Sequence, residues 1–348
     1  MAGKTTRILC AGDQFISPRM LAGAVREQAG DAEIVTHATD WPTTPWESGA
    51  DVAEFLGDED EIIDRAREAD LVVTHLAPVT RRVLAAAPRL RAVAVCRGGP
   101  VNVDVAAATE RGVPVLNLPG RNARAVAEFT IGLLIAGQRN IARSHAAMRE
   151  GQWSGELYRY DQTGPELAGR TVGVVGLGQI GTRVAALLRP FGVRLLACDP
   201  YVDPDVATEL GASLTGLDAL CAGSDIVTLH ARLTPETRHL IDAAALDRMR
   251  EGAYLVNTAR GALVDEAALV GALRSGHLSG AALDTYAREP LPAGSPLRTL
   301  DQVLAVSHLA GASTDVAERA ARRIGAEAGR FLRGEPVANC VNPEVLPG

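Results

Sequence analysis

Short apolar runs alternate with polar, glycine-containing stretches along the first third of the chain, and the stretches between the runs have helical character. Alternating strands and helices are the pattern of parallel βα units, so this third predicts a small α/β domain. The predicted strands are Arg7 to Cys10, Glu33 to Thr36, Leu71 to Thr74, Ala92 to Cys96 and Val113 to Asn117.

A second alternation of the same kind begins at Arg170, after a loop over residues 155–169. Glycine, proline and aspartate separate its apolar runs, which predicts a second unit of the Rossmann type. Its predicted strands cover residues 171–175, 193–198, 226–229, 253–258, 280–284 and 303–306. The alanine-rich tail from Gly311 to Arg333 predicts a helix that packs back on the first domain.

Residues 121–153 connect the two alternations and contain no proline, and Asn122 is placed as a helix N-cap. This stretch predicts a single helix of about thirty residues. It is either a core helix of one large domain or a connector that crosses between domains and packs against a partner subunit. Its length and an apolar series that includes Val126, Phe129 and Leu133 favour the connector.

Composition narrows the class of protein. A chain of 348 residues with 47% apolar residues can bury a sizeable core and is expected to form two domains. The net charge of -7 argues against a nucleic-acid partner, which needs clustered Lys and Arg. The N-terminus has no apolar stretch long enough for a signal peptide or membrane span, so we expect a cytoplasmic protein. The five cysteines lie far apart without a C-x-x-C pair, so neither a metal site nor a disulfide framework is expected.

A glycine-rich turn follows the first strand of the second alternation and opens a helical stretch. Gly176 allows a tight turn, Gly178 lets the backbone approach a pyrophosphate, and Gly181 allows close helix packing. The helix N-terminus offers unpaired N–H groups to the anion. In this context the motif, completed by Gln179 and Ile180, predicts a dinucleotide site.

The next strand ends at Asp199, about twenty residues after the glycines, where a carboxylate can accept hydrogen bonds from the adenosine ribose. Its charge would repel a 2'-phosphate, so NAD is preferred over NADP. Arg232, in the following loop, leaves that preference open: it either forms a surface salt bridge or contacts a cofactor phosphate.

Two strand ends supply groups for hydride transfer to a keto group. Arg260 offers planar, bidentate hydrogen bonds to a substrate carboxylate and polarises the carbonyl. His308 has an unperturbed pKa suited to proton exchange near neutrality. Glu289 would orient the imidazole and raise its pKa, which makes the pair a candidate acid–base dyad. Asp284 either lies near the nicotinamide or caps the end of its strand.

Taken together, these residues resemble one family, the NAD-dependent D-isomer-specific 2-hydroxyacid dehydrogenases. The resemblance covers nearly the whole chain and implies that Arg260 anchors the substrate carboxylate and keto oxygen, and that His308 is the acid–base with Glu289 as partner. It implies further cofactor contacts from the strand ends. The motifs that carry it are Gly176 to Gly181, Leu233 to Thr237, Val256 to Glu266, Leu283 to Leu291 and His308 to Gly311. The further cofactor residues are His230, Thr237, Thr258, Ala259 and Asp284.

The resemblance also implies the architecture. A doubly wound Rossmann nucleotide-binding domain over residues 120–310 is inserted into a smaller, flavodoxin-like α/β substrate domain made of residues 1–119 and 311–348. The active-site cleft lies between the two, and a homodimer forms through the nucleotide domain and the helix over 121–153. The expected substrate is a small 2-hydroxy or 2-oxo acid.

The same resemblance assigns Arg97, Gly98 and Gly99 to the substrate, with the two glycine N–H groups holding its carboxylate. Here the chain departs from its relatives, because most lack a cation and a proline in this loop. If Arg97, with Arg121 and Arg124, faces the cleft, the substrate carries a second anion such as phosphate, phosphonate or carboxylate. The alternative is that these arginines are solvated surface charges.

Two other functions share this architecture. Formate dehydrogenases are disfavoured, because they pair the catalytic histidine with glutamine and position 289 is Glu. A nucleotide-sensing, corepressor-like binding protein can retain the same Arg, Glu and His, and it stays open as an alternative. The sequence leaves the identity of the 2-hydroxy acid and the physiological direction undetermined.

Overall fold

The computed structural model describes residues 5–41 and 47–346, and the chain divides into two compact units. Unit 1 contains residues 1–121 and 312–348, and unit 2 contains residues 122–311. The outermost residues of the predicted substrate domain, 1–4 and 347–348, lie outside the described residues.

Unit 1 is built on a five-stranded parallel sheet in the order β2-β1-β5-β6-β7. A short antiparallel pair, β3 and β4, forms a separate two-stranded sheet. The strands are β1 (Arg7–Gly12), β2 (Glu33–Ala38), β3 (Glu47–Ser48), β4 (Ala53–Phe55), β5 (Leu71–Thr74), β6 (Ala92–Val95) and β7 (Val115–Leu116). The helices, numbered in chain order, are α1 (Pro18–Arg26), α2 (Glu59–Ala66), α3 (Arg81–Ala86), α4 (Val105–Glu110) and the C-terminal α12 (Thr314–Leu332).

Both faces of this sheet are covered, which explains why its strands read as continuous apolar runs. Alternate residues of one strand belong to different cores: Leu9 packs with residues of α2, α3 and α4, and Ile8 packs with residues of α1 and α12. The tail helix therefore packs on the first alternation, as the sequence predicted.

Unit 2 contains a seven-stranded parallel sheet in the order β10-β9-β8-β11-β12-β13-β14. Its strands are β8 (Thr171–Val175), β9 (Arg194–Cys198), β10 (Ala212–Leu214), β11 (Ile226–Leu229), β12 (Ala253–Asn257), β13 (Leu278–Leu283) and β14 (Val303–Ala305). Its helices are α5 (Ala123–Gln138), α6 (Ile141–Arg149), α7 (Gly181–Leu188), α8 (Pro204–Glu209), α9 (Leu217–Gly223), α10 (Ala243–Arg248) and α11 (Glu266–Arg274).

The strand orders place a topological switch point in each sheet. In unit 1 the chain runs from β1 to β2 on one side, and the later strands β5, β6 and β7 lie on the other side of β1. In unit 2 it leaves β8 for β9 on one side, and β11 lies on the other. Ligands of open α/β sheets bind outside the carboxyl ends of the strands at such points. Unit 2 is therefore a doubly wound Rossmann fold, and unit 1 has the flavodoxin-like order with a hairpin inserted.

The prediction of one long helix over 121–153 is wrong, because the stretch forms two helices. Asn140 adopts a left-handed conformation with φ 55°, which stops α5 before α6 begins. Its side-chain amide donates a hydrogen bond to the carbonyl of Gln162 at 2.8 Å. Helix α5 contributes Ala127, Leu133 and Leu134 to the core of unit 2, whereas α6 buries no residue.

Smaller differences concern element ends. Asn122 occupies the N-cap position of α5, but its side chain makes no capping hydrogen bond. Of the strand predicted from Val113 to Asn117, only Val115 and Leu116 pair as β7. Three short strands, β3, β4 and β10, were not predicted, since runs of two or three residues carry no periodic signal.

Candidate active site

The glycine turn after β8 lies at the switch point of unit 2. Gly176 has φ 91°, a left-handed backbone that favours glycine. A Cβ atom on Gly181 would come 1.9 Å from the carbonyl oxygen of Gly176, so only glycine lets α7 begin this close to the strand. A Cβ on Gly178 would meet no atom within 4 Å. Gly178 and Gln179 are exposed and Ile180 is half-buried, so this backbone is open to a ligand.

Asp199 lies at the end of β9 and is bound to the glycine turn. Its Oδ2 accepts a hydrogen bond from the N–H of Leu177 at 2.8 Å, and its Oδ1 accepts one from Tyr201 at 2.9 Å. A carboxylate has about four acceptor positions, so these two bonds leave capacity for ribose hydroxyls. The half-buried carboxylate is thus oriented before any ligand binds.

The loop after β11 contains two of the predicted cofactor residues. Nε2 of His230 lies 2.9 Å from the hydroxyl of Thr228, while its Nδ1 is buried and finds no partner within the described part of the chain. Burial lowers the pKa of His230 to about 3, so the ring is neutral. The hydroxyl of Thr237 donates to the carbonyl of Arg232 at 2.6 Å and so shapes the loop, and the side chain of Arg232 is exposed.

The turn after β12 is fixed by a residue that the sequence reasoning did not single out. Asn257 accepts a hydrogen bond from the N–H of Ala259 at 3.0 Å and donates one to the carbonyl of Arg260 at 2.9 Å. The buried hydroxyl of Thr258 lies 2.8 Å from that of Thr130 on α5. An Asn at a strand end is a known turn former, and this was the available signal.

His308 and Glu289 form a direct pair. Nδ1 of His308 lies 2.7 Å from Oε2 of Glu289, and the other carboxylate oxygen accepts the N–H of Tyr286 at 3.0 Å. Both side chains are about 30% exposed, at 29% and 31%, so solvent or a ligand can reach them. A carboxylate on Nδ1 places a proton there, so Nε2 is the ring nitrogen whose protonation changes when the ring titrates.

The backbone at His308 is left-handed, with φ 55°, and Asp284 holds the segment that follows it. The Asp284 carboxylate accepts the N–H of Leu309 at 2.6 Å and that of Ala310 at 3.1 Å. Asp284 therefore positions the histidine loop. Tyr286 also anchors the loop, because its hydroxyl lies 3.0 Å from the carbonyl oxygen of Leu283 and 2.8 Å from that of Val306, and it shares its one proton between them.

Electrostatics set the protonation of this pair. Burial disfavours the imidazolium, but the hydrogen bond and charge of Glu289 outweigh it, so the pKa of His308 is raised above 6.5. Burial also opposes ionisation of Glu289, yet the hydrogen bond and charge of His308 hold its pKa below the ordinary value. The positive charge of Arg260 opposes the rise in the pKa of His308 without reversing it, and it adds to the fall in the pKa of Glu289.

Arg260 itself is exposed, and its Nη1 donates to the carbonyl of Ala259 at 2.8 Å.

In unit 1 the predicted substrate loop follows β6. Arg97 is buried, pairs with the carboxylate of Glu54, and donates from Nη1 to the carbonyl of Glu54 at 3.0 Å. Gly98 and Gly99 are exposed, and the carbonyl of Gly98 accepts the side-chain amide of Asn117 at 2.6 Å. The loop is thus anchored from two sides while its glycine backbone stays open.

The two remaining arginines differ sharply. Arg124 is 78% exposed in its side chain and pairs with Glu128 one turn along α5, which is a solvated surface pair. Arg121 lies against His75, which in turn contacts Asp13. Asp13 and His75 were not singled out from the sequence, although each directly follows a strand and the rule applied to unit 2 would have found them.

The residues of unit 2 fit a dinucleotide. The open Cβ position of Gly178, the N-terminus of α7 and the oriented Asp199 are the groups that a pyrophosphate and a ribose require. The described residues contain no group of His, Cys, Asp or Glu that could hold a metal ion. Nor does any helix in residues 5–41 and 47–346 have the length and apolarity to cross a bilayer.

Comparison with known proteins agrees with this geometry. Residues 131–310 match a family model described as "D-isomer specific 2-hydroxyacid dehydrogenase, NAD binding domain". D-3-phosphoglycerate dehydrogenase of Methanocaldococcus jannaschii is 38% identical over 93% of this chain and 57% of that protein. Glyoxylate reductase of Thermofilum pendens is 38% identical over 90% of this chain and 89% of that protein.

A solved structure of D-lactate dehydrogenase from Escherichia coli superposes with a TM-score of 0.79 and 29% identity, covering 97% of this chain and 100% of the other. The chain spans little more than half the length of the phosphoglycerate dehydrogenases it matches, 57% and 53% for two of them.

Gly178→Ala separates a ligand effect from a folding effect. The added Cβ meets no atom within 4 Å in the protein, so the variant should melt at the wild-type temperature. A pyrophosphate lying against that backbone would meet the new methyl, so NADH affinity should fall by at least about tenfold. Fluorescence titration with NADH measures the loss. Gly271→Ala, on an exposed part of α11 with equally open space, is the control; equal affinity of the two variants would contradict the site.

Proposed function

Because the chain belongs to the family of D-isomer specific 2-hydroxyacid dehydrogenases, we propose that it interconverts a 2-hydroxy acid and a 2-oxo acid with NAD as cofactor. The observation that carries the proposal is the His308–Glu289 pair at 2.7 Å, with the charge of Arg260 acting on both groups. A bound nicotinamide supplies or accepts the hydride at the substrate's C2 carbon.

In the reductive direction, protonated His308 gives the proton from Nε2 to the carbonyl oxygen as the carbon receives hydride. The ring is then neutral and recovers a proton from solvent at Nε2. Nδ1 keeps its own proton throughout and donates it in the hydrogen bond to Glu289. In the oxidative direction the neutral Nε2 accepts the hydroxyl proton. Glu289 makes both directions workable, because it orients the ring and raises its pKa toward working pH.

Arg260 supplies the cation. Its guanidinium is exposed, and one bond to the Ala259 carbonyl fixes it while most of its five donors stay available. A planar fork binds a carboxylate in two parallel hydrogen bonds and stays charged at any working pH. Its role is to hold the substrate carboxylate and polarise the carbonyl that the hydride attacks.

We assign the cofactor to unit 2 and the substrate loop to unit 1. Gly176 to Gly181, Asp199, His230 and Thr258 serve the dinucleotide, and the negative charge of Asp199 favours NAD over NADP. Arg97, Gly98 and Gly99 serve the substrate. We also propose a reducing, cytoplasmic location, which the five unpaired cysteines support.

A homodimer through unit 2 is part of the proposal. The segment from α6 to residue 160 carries Trp153, Tyr158 and Tyr160 at 84%, 94% and 98% exposure, and α6 itself buries no side chain. Large aromatic side chains are enriched at interfaces between subunits, where their burial stabilises association. Clustered exposure of this kind marks a surface for a partner, which we take to be a second copy of the chain.

The function is tested by NADH oxidation with a panel of 2-oxo acids, in wild type and in His308→Ala. We expect wild-type turnover, and a loss of kcat of about 10²- to 10⁴-fold in the variant, the usual contribution of a general acid. NADH affinity should be unchanged, because His308 makes no contact assigned to the cofactor. A wild-type protein that binds NADH yet reduces no 2-oxo acid would instead indicate a nucleotide-sensing binding protein.

The raised pKa of His308 predicts the pH profile. Reduction needs the imidazolium, so its rate should be high at low pH and fall as pH rises through a pKa above 6.5. The rate of oxidation, which needs the neutral imidazole, should instead rise as pH rises through the same pKa. Glu289→Gln removes the charge that raises this pKa, so the falling limb should move to lower pH. Glu251→Gln, an exposed carboxylate of the same unit, serves as control; a limb that stays in place in Glu289→Gln refutes the pairing.

The dimer is tested by sedimentation velocity on wild type and on the triple variant Trp153→Ser, Tyr158→Ser, Tyr160→Ser. We expect a wild-type dimer at micromolar concentration and a monomer for the variant, because the aromatic area available for burial is removed. Tyr201→Ser changes a residue that is 95% exposed elsewhere on unit 2 and should leave the dimer intact. A monomeric wild type would contradict the assignment.

A further inference from the structure

The switch point of unit 1 holds a polar cluster in which Asp13, His75 and Arg121 have no role in the chemistry above. Asp13 follows β1, His75 follows β5, and these strands flank the point where the chain changes direction across the sheet. Arg97 follows β6 and Arg121 lies beyond β7. These four side chains therefore gather along the carboxyl edge of one sheet, where ligands of open α/β folds bind.

The hydrogen bonds in this cluster fix the tautomer of His75. Its Nδ1 lies 2.7 Å from Oδ2 of Asp13, and both residues are buried, at 3% exposure each. Asp13 also accepts the N–H groups of Phe15 and Ile16 at 2.9 Å, which hold it as a carboxylate. Burial lowers the pKa of His75 to about 4, so a neutral ring donates from Nδ1 and presents the lone pair of Nε2.

That lone pair orients Arg121. An arginine has only donors, and its Nη2 lies 3.2 Å from Nε2 of His75. Burial lowers the pKa of Arg121 to about 10, which still leaves the guanidinium charged at neutral pH. The order Asp13, His75, Arg121 is thus a chain of oriented hydrogen bonds that ends in a fixed cation.

One nitrogen of the Arg121 guanidinium has no acceptor in the described part of the chain. Nη1 of Arg121 is buried and has no hydrogen-bond partner among residues 5–41 and 47–346, although Arg121 as a whole remains partly exposed. Among the described residues, the carboxylate whose charge acts on Arg121 is that of Asp13, and it is engaged with His75. The neighbouring Arg97 is paired with Glu54. A buried donor on a charged group is unfavourable without an acceptor, so this geometry calls for an acceptor from outside the chain.

We propose that the Asp13–His75–Arg121 cluster is a recognition site for an oxyanion, and that this oxyanion is a second anionic group, carboxylate or phosphate, of the 2-oxo acid substrate. The assignment to the substrate rests on the proposed function. Arg121 is the specificity-determining residue, and His75 and Asp13 are positioning residues that act through it. Arg124, which pairs with Glu128 in solvent, has no part in the site.

The kinetic test compares Arg121→Gln with Arg124→Gln in the full chain. NADH oxidation is followed with 2-oxobutanoate, which has no second anion, with 2-oxoglutarate and with 3-phosphohydroxypyruvate. We expect wild type to prefer one of the doubly charged acids, and Arg121→Gln to raise the KM for it by at least about tenfold. The KM for 2-oxobutanoate should stay the same, and Arg124→Gln should match wild type throughout. The acid affected identifies the second group as carboxylate or phosphate.

Several outcomes overturn the proposal. If Arg121→Gln raises the KM for the singly charged and the doubly charged acids equally, its role is purely structural and the proposal is refuted. The same effect in Arg124→Gln also refutes it. A wild type that shows no preference for a second anion also refutes it. If Arg121→Gln does not fold, Arg121→Lys and His75→Gln apply the same comparison, because each keeps a cation but loses its orientation.

A direct binding measurement separates this proposal from the proposed function. Calorimetric titration of wild type with succinate and with inorganic phosphate needs no turnover. Binding of either that is lost in Arg121→Gln and kept in Arg124→Gln supports the oxyanion site even if no 2-oxo acid is reduced. Absence of binding for both probes, in a protein that still reduces 2-oxobutanoate, leaves the enzyme in place and refutes the site.

Discussion

The parallel alignment of strands is the constraint on which the candidate sites depend. Within each of the two large sheets all strands are parallel, so the residues that follow the strands emerge at one edge of that sheet. Because the strands are covered on both faces, their own side chains are committed to packing. Polar chemistry is therefore confined to strand ends, and the switch points decide which ends have room for a ligand.

Hydrogen bonding within the loops then determines what each strand-end residue can do. His308 and His75 both lie 2.7 Å from a carboxylate, yet the pKa of the first is raised and that of the second is lowered. His75 is almost fully buried and faces the charges of Arg121 and Arg97, so desolvation and repulsion exceed the attraction of Asp13. His308 is 29% exposed and the attraction of Glu289 prevails. The same contact distance thus accompanies a raised pKa in one unit and a neutral imidazole in the other.

The sequence predicted which residues lie at strand ends better in unit 2 than in unit 1. Gly176, Asp199 and His308 were accessible because each follows a long apolar run or belongs to a recognisable spacing. The break at Asn140 was missed because the prediction relied on the absence of proline, although Asn adopts the left-handed conformation more readily than most residues. The strand-end rule applies to Asp13 and His75 separately, but their contact could not be predicted, because they are 62 residues apart and only the β1–β5 pairing brings them together.

The balance of donors and acceptors differs between the two units, and this difference bears on specificity. In unit 2 the carboxylates of Asp284 and Glu289 are matched by N–H groups and by His308, so the acid–base pair is complete in the protein alone. In unit 1 the cluster ends in a nitrogen of Arg121 that has no partner among residues 5–41 and 47–346. A group that is already satisfied cannot discriminate strongly between ligands, whereas an unsatisfied buried donor rejects a ligand that lacks the acceptor. In the function that we propose, the reaction depends on His308 and Glu289 of unit 2, and the choice between singly and doubly charged acids depends on Arg121 of unit 1.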